Sequence, residues 1–402
     1  MSARLWLIII AGGTIMAIAL GLRQALGLYL TPISIDLSIG RETFAFALGL
    51  MNLFWGLGAP LTGMIADKYG AGRIVVVAAV CYTLGLLVMM MPGAGNQLIL
   101  GGTLIGLGMS GAGFSVILGI VGRSAPEHKR GFALGLTSMI GSIGLFVALP
   151  YTHVLMASFG WVTSLMILSA TAFVMAPLAY AISGKPTVSK GTVGAPSQTL
   201  KEALKEACAD RNFALLNIGF FVCGFHVAFI AIHLPAYIND AGLATWLGAA
   251  ALSLIGIGNI IGSFGCGALG DYFAKKNVLS LLYAIRSVII LAFIMLPISD
   301  VSVLIFSVAI GLLWLGTVPL TSGLVAQIYG TTYMSTLFGL VFLSHQLGSF
   351  LGAWIGGKAY DISGSYDIVW WISIALGLLA ALVHWPIEER PIKSEQLKEK
   401  TA

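Results

Sequence analysis

Twelve long apolar runs constrain the fold of this 402-residue chain more than any other feature. Each run has roughly the 20 residues that a helix needs to cross the hydrocarbon core of a bilayer. None alternates with the period of two that is typical of barrel strands, so an all-α membrane protein is predicted. The predicted spans are 5–31, 43–66, 74–92, 97–121, 131–154, 160–182, 213–237, 246–269, 278–297, 301–328, 332–357 and 368–386.

Charged residues are too few to cover a soluble globule of this length. They make up 9% of the chain, hydrophobic residues make up 58%, and the mean hydropathy is +0.96. A soluble domain has about 25% charged residues. The composition therefore excludes a soluble enzyme, a nucleic-acid-binding protein and a disordered scaffold.

The sequence offers no group of residues suited to catalysis or to a cofactor. Its four cysteines form no CxxC pair and no zinc-site pattern. There is no nucleotide-binding P-loop, and the loops hold no cluster of His, Asp or Glu. We expect a protein that is not an enzyme and that has no catalytic residues, no metal and no cofactor.

The basic residues predict which side of the membrane each loop occupies. With the N-terminus in the cytoplasm, 17 of the 21 Lys and Arg residues lie in cytoplasmic loops or tails. Arg41 and Lys358 fall on the opposite face, and Arg23 and Arg286 lie inside spans. Since cytoplasmic loops carry an excess of Lys and Arg, both termini are predicted to be cytoplasmic in a multi-pass protein of the inner (plasma) membrane. The net charge of +5 then reflects topology and not nucleic-acid binding.

The chain contains an internal repeat with an offset of 204 residues. Gly63 and Asp67 recur as Gly267 and Asp271, and further glycine pairs share the offset: Gly135 with Gly339, Gly144 with Gly348, and Gly160 with Gly364. The predicted organisation is an N-terminal six-helix half (1–182), a cytoplasmic linker (183–212) and a C-terminal six-helix half with a short tail (213–402). Such repeated halves place a binding site between them near the middle of the membrane.

A motif begins at the end of span 2 and reads Gly63-Met-Ile-Ala-Asp67-Lys-Tyr-Gly-Ala-Gly-Arg73, with a degenerate copy around Asp271 at the end of span 8. It resembles the signature loop of the major facilitator superfamily, and the resemblance covers essentially the whole chain. The resemblance implies twelve helices in two pseudo-symmetric halves that transport by alternating access. It also implies a gate at Gly63, Asp67, Arg73 and Asp271, in which glycine permits close helix contact and the aspartates form ion pairs. The alternative is a basic loop that only anchors the topology.

Span 1 contains the segment Gly21-Leu-Arg23-Gln-Ala-Leu-Gly27-Leu-Tyr-Leu-Thr-Pro32. This segment resembles helix 1 of the bacterial oxalate–formate antiporters and monocarboxylate transporters. The resemblance places Arg23 where animal members carry a functional lysine. Their Asp–Arg pair in helix 8 and the second basic residue of the oxalate carriers are absent here, which argues against a dicarboxylate held at both ends.

The charge inside the predicted spans is positive. All 16 acidic residues fall at span ends or in loops, whereas Arg23 lies about 12 Å below the outer end of span 1. A guanidinium holds a carboxylate through two parallel hydrogen bonds, so this cation favours an anionic substrate. The alternative is that Arg23 snorkels to the headgroups, which is also what we expect of Arg286 on the cytoplasmic side.

Several polar and aromatic residues join Arg23 as predicted substrate-binding residues: Asn52, His226, Trp314 and His345. Trp314 lies away from the span ends where interface tryptophans concentrate, so we expect it to form a wall of the cavity. The alternative for each polar residue is that its side chain forms a hydrogen bond to a neighbouring helix.

Two histidines are predicted to couple protons to transport. His226 precedes Pro235 by nine residues, as Arg23 precedes Pro32, so the repeat directs both side chains to equivalent places. A histidine titrates near physiological pH, and His226 would bind the anion when protonated and release it when neutral. His233 lies two turns further outward and would relay the protons. The alternative for both is a neutral histidine bonded to a neighbouring helix.

The sequence as a whole predicts a proton-coupled secondary carrier of a small organic anion, namely a monocarboxylate. An exporter of amphipathic metabolites or drugs and an anion exchanger are the alternatives. The expected partners are the anion, protons and membrane lipid, without nucleic acid, and we expect a monomer.

Overall fold

The structure is a computed structural model that describes residues 3–91, 93, 95–125, 130–183, 199–330 and 333–392. Within these ranges, the side chains of residues 67, 68, 123, 130–132, 271, 334 and 335 are not described. The described part of the chain contains helices and no strand. Its apolar helices follow the predicted spans closely. An apolar segment in lipid has to form its backbone hydrogen bonds within itself, and a helix does this.

Six membrane helices form the N-terminal half. Helix α1 runs through Ala3–Ala25, a 3₁₀ turn at Leu26–Tyr29 and a last segment at Leu30–Asp36; α2 is Arg41–Tyr69, α3 is Ala71–Met89, and α4 consists of Asn96–Ala112 and Phe114–Ser124. Helices α5 and α6 are the parts of Arg130–Phe173 before and after Gly160, and Met175–Leu178 extends α6.

Six further membrane helices form the C-terminal half. These are α7 (Arg211–Asp240), α8 (Thr245–Tyr272), α9 (Lys275–Met295), α10 (Asp300–Leu312 and Thr317–Tyr329), α11 (Met334–Ser363) and α12 (Asp367–His384). A short linker helix at Leu200–Ala209 precedes them and begins with a capping box between Thr199 and Glu202.

Eleven stretches among the described residues are long and apolar enough to span a membrane, and the longest holds two spans. Tyr151 and Thr171 share a hydrogen bond at 3.2 Å, although a straight helix would separate them by about 30 Å. The chain therefore reverses at Gly160. Its φ of 75° lies in the left-handed region, which glycine adopts without a steric penalty. The twelve predicted spans are thus accounted for.

The repeated glycines make equivalent contacts in both halves. A Cβ atom at Gly144 in α5 would overlap the carbonyl oxygen of Ala17 in α1, and a Cβ atom at Gly348 in α11 would overlap the carbonyl oxygen of Phe221 in α7. Gly144 and Gly348 are 204 residues apart in the chain, and so are their contact partners, Ala17 and Phe221. These glycines let the backbones of paired helices touch.

Gly63 does not make the close helix contact that the sequence predicted for it. A Cβ atom there would meet no atom of the described residues within 4 Å, so none of them packs closely against Gly63 in this conformation. Arg73 is exposed, and the side chains of Asp67 and Asp271 lie outside the described residues. The gate proposed for this loop therefore stays a prediction.

The two ends of the bundle are distinguished by their turns. The connections α1–α2, α7–α8 and α11–α12 lie at one end, which we call the Arg41 end. The connections α2–α3 and α8–α9 lie at the opposite end, which we call the Asp67 end. The halves pack together mainly through α2 against α11 and α5 against α8.

Candidate functional site

A small cavity lies between the two halves near the middle of the bundle. Its volume is about 20 Å³, which is room for one water molecule. Residues from both halves line it, and most are apolar or aromatic: Leu20, Arg23, Gln24, Trp55, Phe114, Leu145, Val227, Trp314, Leu315, Val318, Phe342 and His345. Of the predicted binding residues, Arg23, Trp314 and His345 line this cavity directly.

Interruptions in three helices shape the cavity. Helix α1 tightens into a 3₁₀ turn shortly after Arg23, α4 breaks at Gly113, and α10 breaks between Leu312 and Thr317. A Cβ atom at Gly113 would lie 2.8 Å from the indole nitrogen of Trp55, so this glycine leaves room for the indole. Interrupted helices at a binding site between repeated halves are common in transporters.

Arg23 and Asn52 hold each other in place within the N-terminal half. Nε and Nη2 of Arg23 donate to Oδ1 of Asn52 at 3.0 and 2.8 Å, and Asn52 Nδ2 donates to the Leu48 carbonyl at 2.8 Å. The guanidinium also lies 5.4 Å from the ring centre of Trp55, within the range of a cation–π interaction. Among the described residues, no carboxylate pairs with Arg23. Asn52 thus orients the cation without neutralising it.

His345 brings a second polar group to the cavity from the C-terminal half. The side chain is 3% exposed, and its ring stacks on Phe342 with centroids 5.3 Å apart. Nδ1 lies 3.1 Å from Oε1 of Gln346, whereas Nε2 has no hydrogen-bond partner among the described residues. The buried Oε1 of Gln24, which also lines the cavity, has none among them either.

Arg286 does not snorkel to the membrane surface, contrary to the expectation from the sequence. Its side chain is 1% exposed and donates to the carbonyl oxygens of Leu313 and Trp314, the latter at 2.9 Å. These carbonyls lie where the first part of α10 ends, and a cation is favourable at such a helix C-terminus. Arg286 therefore stabilises the break in α10 that places Trp314 in the cavity.

Asn259 forms a hydrogen bond with the backbone on the other side of the same break. Its Oδ1 accepts from the backbone N–H of Leu315 at 2.9 Å, and its Nδ2 donates to Ser142 Oγ at 3.2 Å. Asn259 thus forms hydrogen bonds between helices, and it joins α8 to α5 of the other half.

The two halves are tied together at the Arg41 end. Arg41 of α2 forms a two-point ion pair with Asp240 of α7, at 2.7 and 2.8 Å. Its guanidinium also lies 3.9 Å from the ring centre of Tyr360 in α11. Asp361 accepts the backbone N–H groups of Arg41 and Glu42 at 3.2 and 2.9 Å, and so caps α2 from the opposite half. We call this cluster the Arg41 lock.

His233 is connected to the Arg41 lock through Tyr366. Arg41 Nη1 donates to Tyr366 Oη at 3.0 Å, and the same oxygen lies 3.3 Å from His233 Nδ1. His233 Nε2 lies 2.8 Å from the Ala353 carbonyl, which can only accept. Nε2 therefore carries the proton of the neutral ring, and Nδ1 accepts from the tyrosine hydroxyl.

His226 lies away from the cavity, in contrast to the position expected from the repeat. Its Nε2 lies 2.7 Å from the Ser373 carbonyl of α12, and its neighbour Val227 faces the cavity instead. The pairing with Arg23 fails because the glycine contacts relate α1 and α7 by 204 residues, which makes Val227, and not His226, the mate of Arg23. This arrangement matches the alternative of a histidine bonded to a neighbouring helix.

Three aromatic rings close the cavity on the side of the Asp67 end. Trp55 and Phe114 of the N-terminal half contact Phe342 of the C-terminal half, with centroid distances of 5.0 and 6.1 Å. Trp55 lies one turn beyond Asn52 toward the Asp67 end. The cavity is thus enclosed between this aromatic cluster and the Arg41 lock.

Sequence reasoning missed Asp240, Tyr366, Phe114, Phe342 and Gln24. One signal for the lock was present, because Arg41 is one of two basic residues on a face that otherwise lacks them. Gln24 also stood out as a polar residue beside Arg23. The remaining partners come from distant helices and left no local pattern.

The chain belongs to the major facilitator superfamily, since the model of that family matches residues 7–353. This membership defines a membrane transporter of twelve helices in two halves, and the enclosed cavity between the halves has the position of its substrate site.

Individual relatives are similar along nearly the full length. The uncharacterized MFS-type transporter YcxA of Bacillus subtilis is 25% identical over 90% of this chain and 90% of its own. Monocarboxylate transporter 13 of Rattus norvegicus is 22% identical over 94% of this chain and 89% of its own. Monocarboxylate transporter 11 of Homo sapiens is 23% identical over 94% of this chain and 82% of its own.

Proposed function

We propose that this transporter carries a small organic monoanion with a carboxylate group, and that Arg23 binds the carboxylate. The observation that carries the proposal is the guanidinium of Arg23 in an enclosed apolar cavity, held by the neutral Asn52 and without a paired carboxylate among the described residues. Arginine stays protonated at physiological pH. An anion that enters the cavity gains a strong interaction, because the surroundings have a low dielectric. The names of the two monocarboxylate transporters support the same substrate class.

The same site supports alternating access. In this conformation the Arg41 lock closes one end, and the cluster of Trp55, Phe114 and Phe342 closes the other. Each closure joins side chains of opposite halves, so parting the halves at either end breaks only one of them. Asp67, Asp271, Gly63 and Arg73 would form a further contact at the Asp67 end in the opposite state. By the distribution of basic residues, the Arg41 end faces outward, and the membrane is the plasma membrane.

Proton coupling is the third part of the proposal, and His233 is its carrier. A proton on Nδ1 of His233 would remove the acceptor for the Tyr366 hydroxyl and would place a second cation near Arg41. Like charges repel, so protonation would weaken the Arg41 lock. Asp240 and Asp361 are bonded to Arg41 and would compensate that repulsion only in part. Protons from outside would thus favour opening of the Arg41 end.

The experiment that tests carboxylate binding uses purified protein and a panel of carboxylates in thermal-shift assays, since a ligand stabilises in proportion to the logarithm of its concentration over its Kd. Arg23→Ala should lose this stabilisation, and Arg23→Lys should retain part of it because the charge remains without the two-point geometry. Arg211→Ala, at an exposed arginine, serves as the control. Wild-type affinity for every carboxylate in Arg23→Ala would refute the proposal.

A second candidate function is export of amphipathic metabolites, which the aromatic and apolar lining of the cavity favours. Uptake and efflux assays in vesicles with imposed gradients separate the two. An exporter would move uncharged amphipathic compounds in Arg23→Ala as well as in the wild type, whereas an anion carrier would not.

A further inference from the structure

The cavity contains an unsatisfied polar atom apart from Arg23. His345 is nearly fully buried and lines the cavity, and within the described part of the chain its Nε2 has no hydrogen-bond partner. Buried polar side-chain atoms are normally paired, and an unpaired one in a binding cavity marks a place for a ligand atom. A ligand hydroxyl both donates and accepts, so it satisfies Nε2 in either tautomer of the imidazole.

Two aromatic side chains separate this atom from the cation. Arg23 lies 5.4 Å from the ring centre of Trp55, Trp55 lies 5.0 Å from Phe342, and Phe342 stacks on His345 at 5.3 Å. A compound that reaches both polar groups must therefore place an apolar segment along the two rings. A flat aromatic segment suits these walls, because aromatic rings pair by stacking or edge contacts.

The charges of the cavity lining indicate which kind of group the compound carries at the end remote from Arg23. Of the lining residues, Arg23 alone carries a permanent charge. His345 contacts Phe342, Phe220 and Gln346, and the Cys223 thiol is a further neighbour. Arg286 lies beyond that thiol and already donates to the α10 carbonyls. A second carboxylate would therefore lack a cation of its own in the lining, which is unfavourable.

We propose that the substrate is an aromatic monocarboxylate with a neutral hydroxyl at the end of the ring opposite the carboxylate. Arg23 binds the carboxylate, Trp55 and Phe342 contact the ring, and His345 Nε2 pairs with the hydroxyl. This inference rests on the proposed function and specifies its substrate class. The cavity of about 20 Å³ is smaller than such an acid, since a benzene molecule occupies a cavity of about 150 Å³. Binding therefore requires the halves to part and the rings to separate.

The test compares three acids that differ only in the hydroxyl group: phenylacetate, 4-hydroxyphenylacetate and mandelate. Affinities are measured by isothermal titration calorimetry on the purified full-length protein in detergent. In the wild type, 4-hydroxyphenylacetate should bind about fivefold more tightly than phenylacetate, as one additional buried hydrogen bond predicts. Mandelate carries its hydroxyl beside the carboxylate and should show no such gain.

The variant His345→Phe keeps an aromatic ring for the stack with Phe342 and removes the nitrogen. It should lose the fivefold preference for the hydroxyl, which is measured as the ratio of the two affinities within the variant and so does not depend on its absolute affinity for phenylacetate. His384→Phe is the matched control, because His384 is also buried and stacks on Tyr283 but does not line the cavity. Its Nε2 likewise has no partner among the described residues. Binding of phenylacetate itself shows that each variant is folded.

The possible outcomes separate this inference from the proposed function. Equal affinities for the two phenylacetates in the wild type, a preference for mandelate, or a preference that persists in His345→Phe would overturn the inference alone, provided that phenylacetate binds and Arg23→Ala abolishes the binding. Failure of all carboxylates to bind, or binding that does not depend on Arg23, would overturn the proposed function itself.

Discussion

Arg41 and Asp240 are 199 positions apart in the chain and form an ion pair between the two halves, with both carboxylate oxygens accepting from the guanidinium. Their side chains are 14% and 29% exposed, so the pair is only partly screened by solvent. Two-point pairs of this kind are stronger than single contacts. The pair therefore stabilises the conformation in which the Arg41 end is closed.

Asp240→Asn should open the Arg41 end. The change removes the charge but keeps the size, and the closed-to-open ratio should fall about tenfold, equivalent to about 1.4 kcal/mol. Spin labels at Ser38→Cys and Ala241→Cys, with Cys81 and Cys208 replaced by Ser, report the distance between the halves by pulsed electron resonance. Glu388→Gln, near the opposite end, is the control. An unchanged distance distribution in Asp240→Asn would remove the lock from the mechanism.

His233→Gln should abolish the pH dependence of that opening. In the wild type, acidification below the ordinary imidazole pKa of about 6.5 should shift the population toward the open form, because a protonated imidazole repels Arg41. Glutamine preserves hydrogen bonding to Tyr366 and Ala353 but does not titrate. His226→Gln, which faces α12, should keep the wild-type pH profile. If His226→Gln flattens the profile and His233→Gln does not, proton coupling belongs to His226 as the repeat predicted.

Asn52→Asp should weaken carboxylate binding more than tenfold. The substitution keeps the shape but gives Arg23 a permanent carboxylate partner at hydrogen-bond distance, and this partner competes with the substrate. Titration calorimetry with phenylacetate measures the effect. Asn217→Asp is the matched control, because Asn217 also donates to a carbonyl four residues earlier but lies outside the cavity. Retained affinity in Asn52→Asp would mean that the anion is bound elsewhere.

Arg286→Met should destabilise the protein through the break in α10. The carbonyl oxygens of Leu313 and Trp314 would lose their donor inside the bundle, and each unsatisfied group costs about 1–3 kcal/mol. Thermal unfolding in detergent should show a clear decrease in Tm, and Arg211→Met at an exposed site should show little change. A Tm equal to that of the wild type would mean that the break holds without the guanidinium.

Gly144→Ala should disturb the contact between α1 and α5. The added methyl group would overlap the backbone of Ala17, which cannot move aside like a flexible side chain, so the helices must separate. Gly135→Ala in the same helix is the control, because a Cβ atom there would meet no atom of the described residues within 4 Å. Only Gly144→Ala should show a lower Tm and a broadened size-exclusion peak. Equal stability of both variants would show that the helices adapt to the methyl group.

The sequence alone determined the membrane-spanning architecture. Length and hydropathy defined the helices, because a backbone in lipid must satisfy its hydrogen bonds within the helix. The repeat of 204 residues predicted that Gly144 and Gly348 occupy equivalent places, and both indeed lie at equivalent contacts. The embedded Arg23 was recognisable as a candidate for the site, since a charge in an apolar span requires a partner or a function.

Only the tertiary structure decided which helix each side chain meets. His226 and His233 are seven residues apart and share a face of α7, yet His226 contacts Ser373 of α12, whereas His233 contacts Ala353 of α11 and reaches the Arg41 lock through Tyr366. Periodicity gives the direction of a side chain relative to its own helix, and it contains no information on the neighbour at each depth. For the same reason Arg286 was expected at the membrane surface, although the break in α10 provides carbonyl acceptors for it inside the bundle.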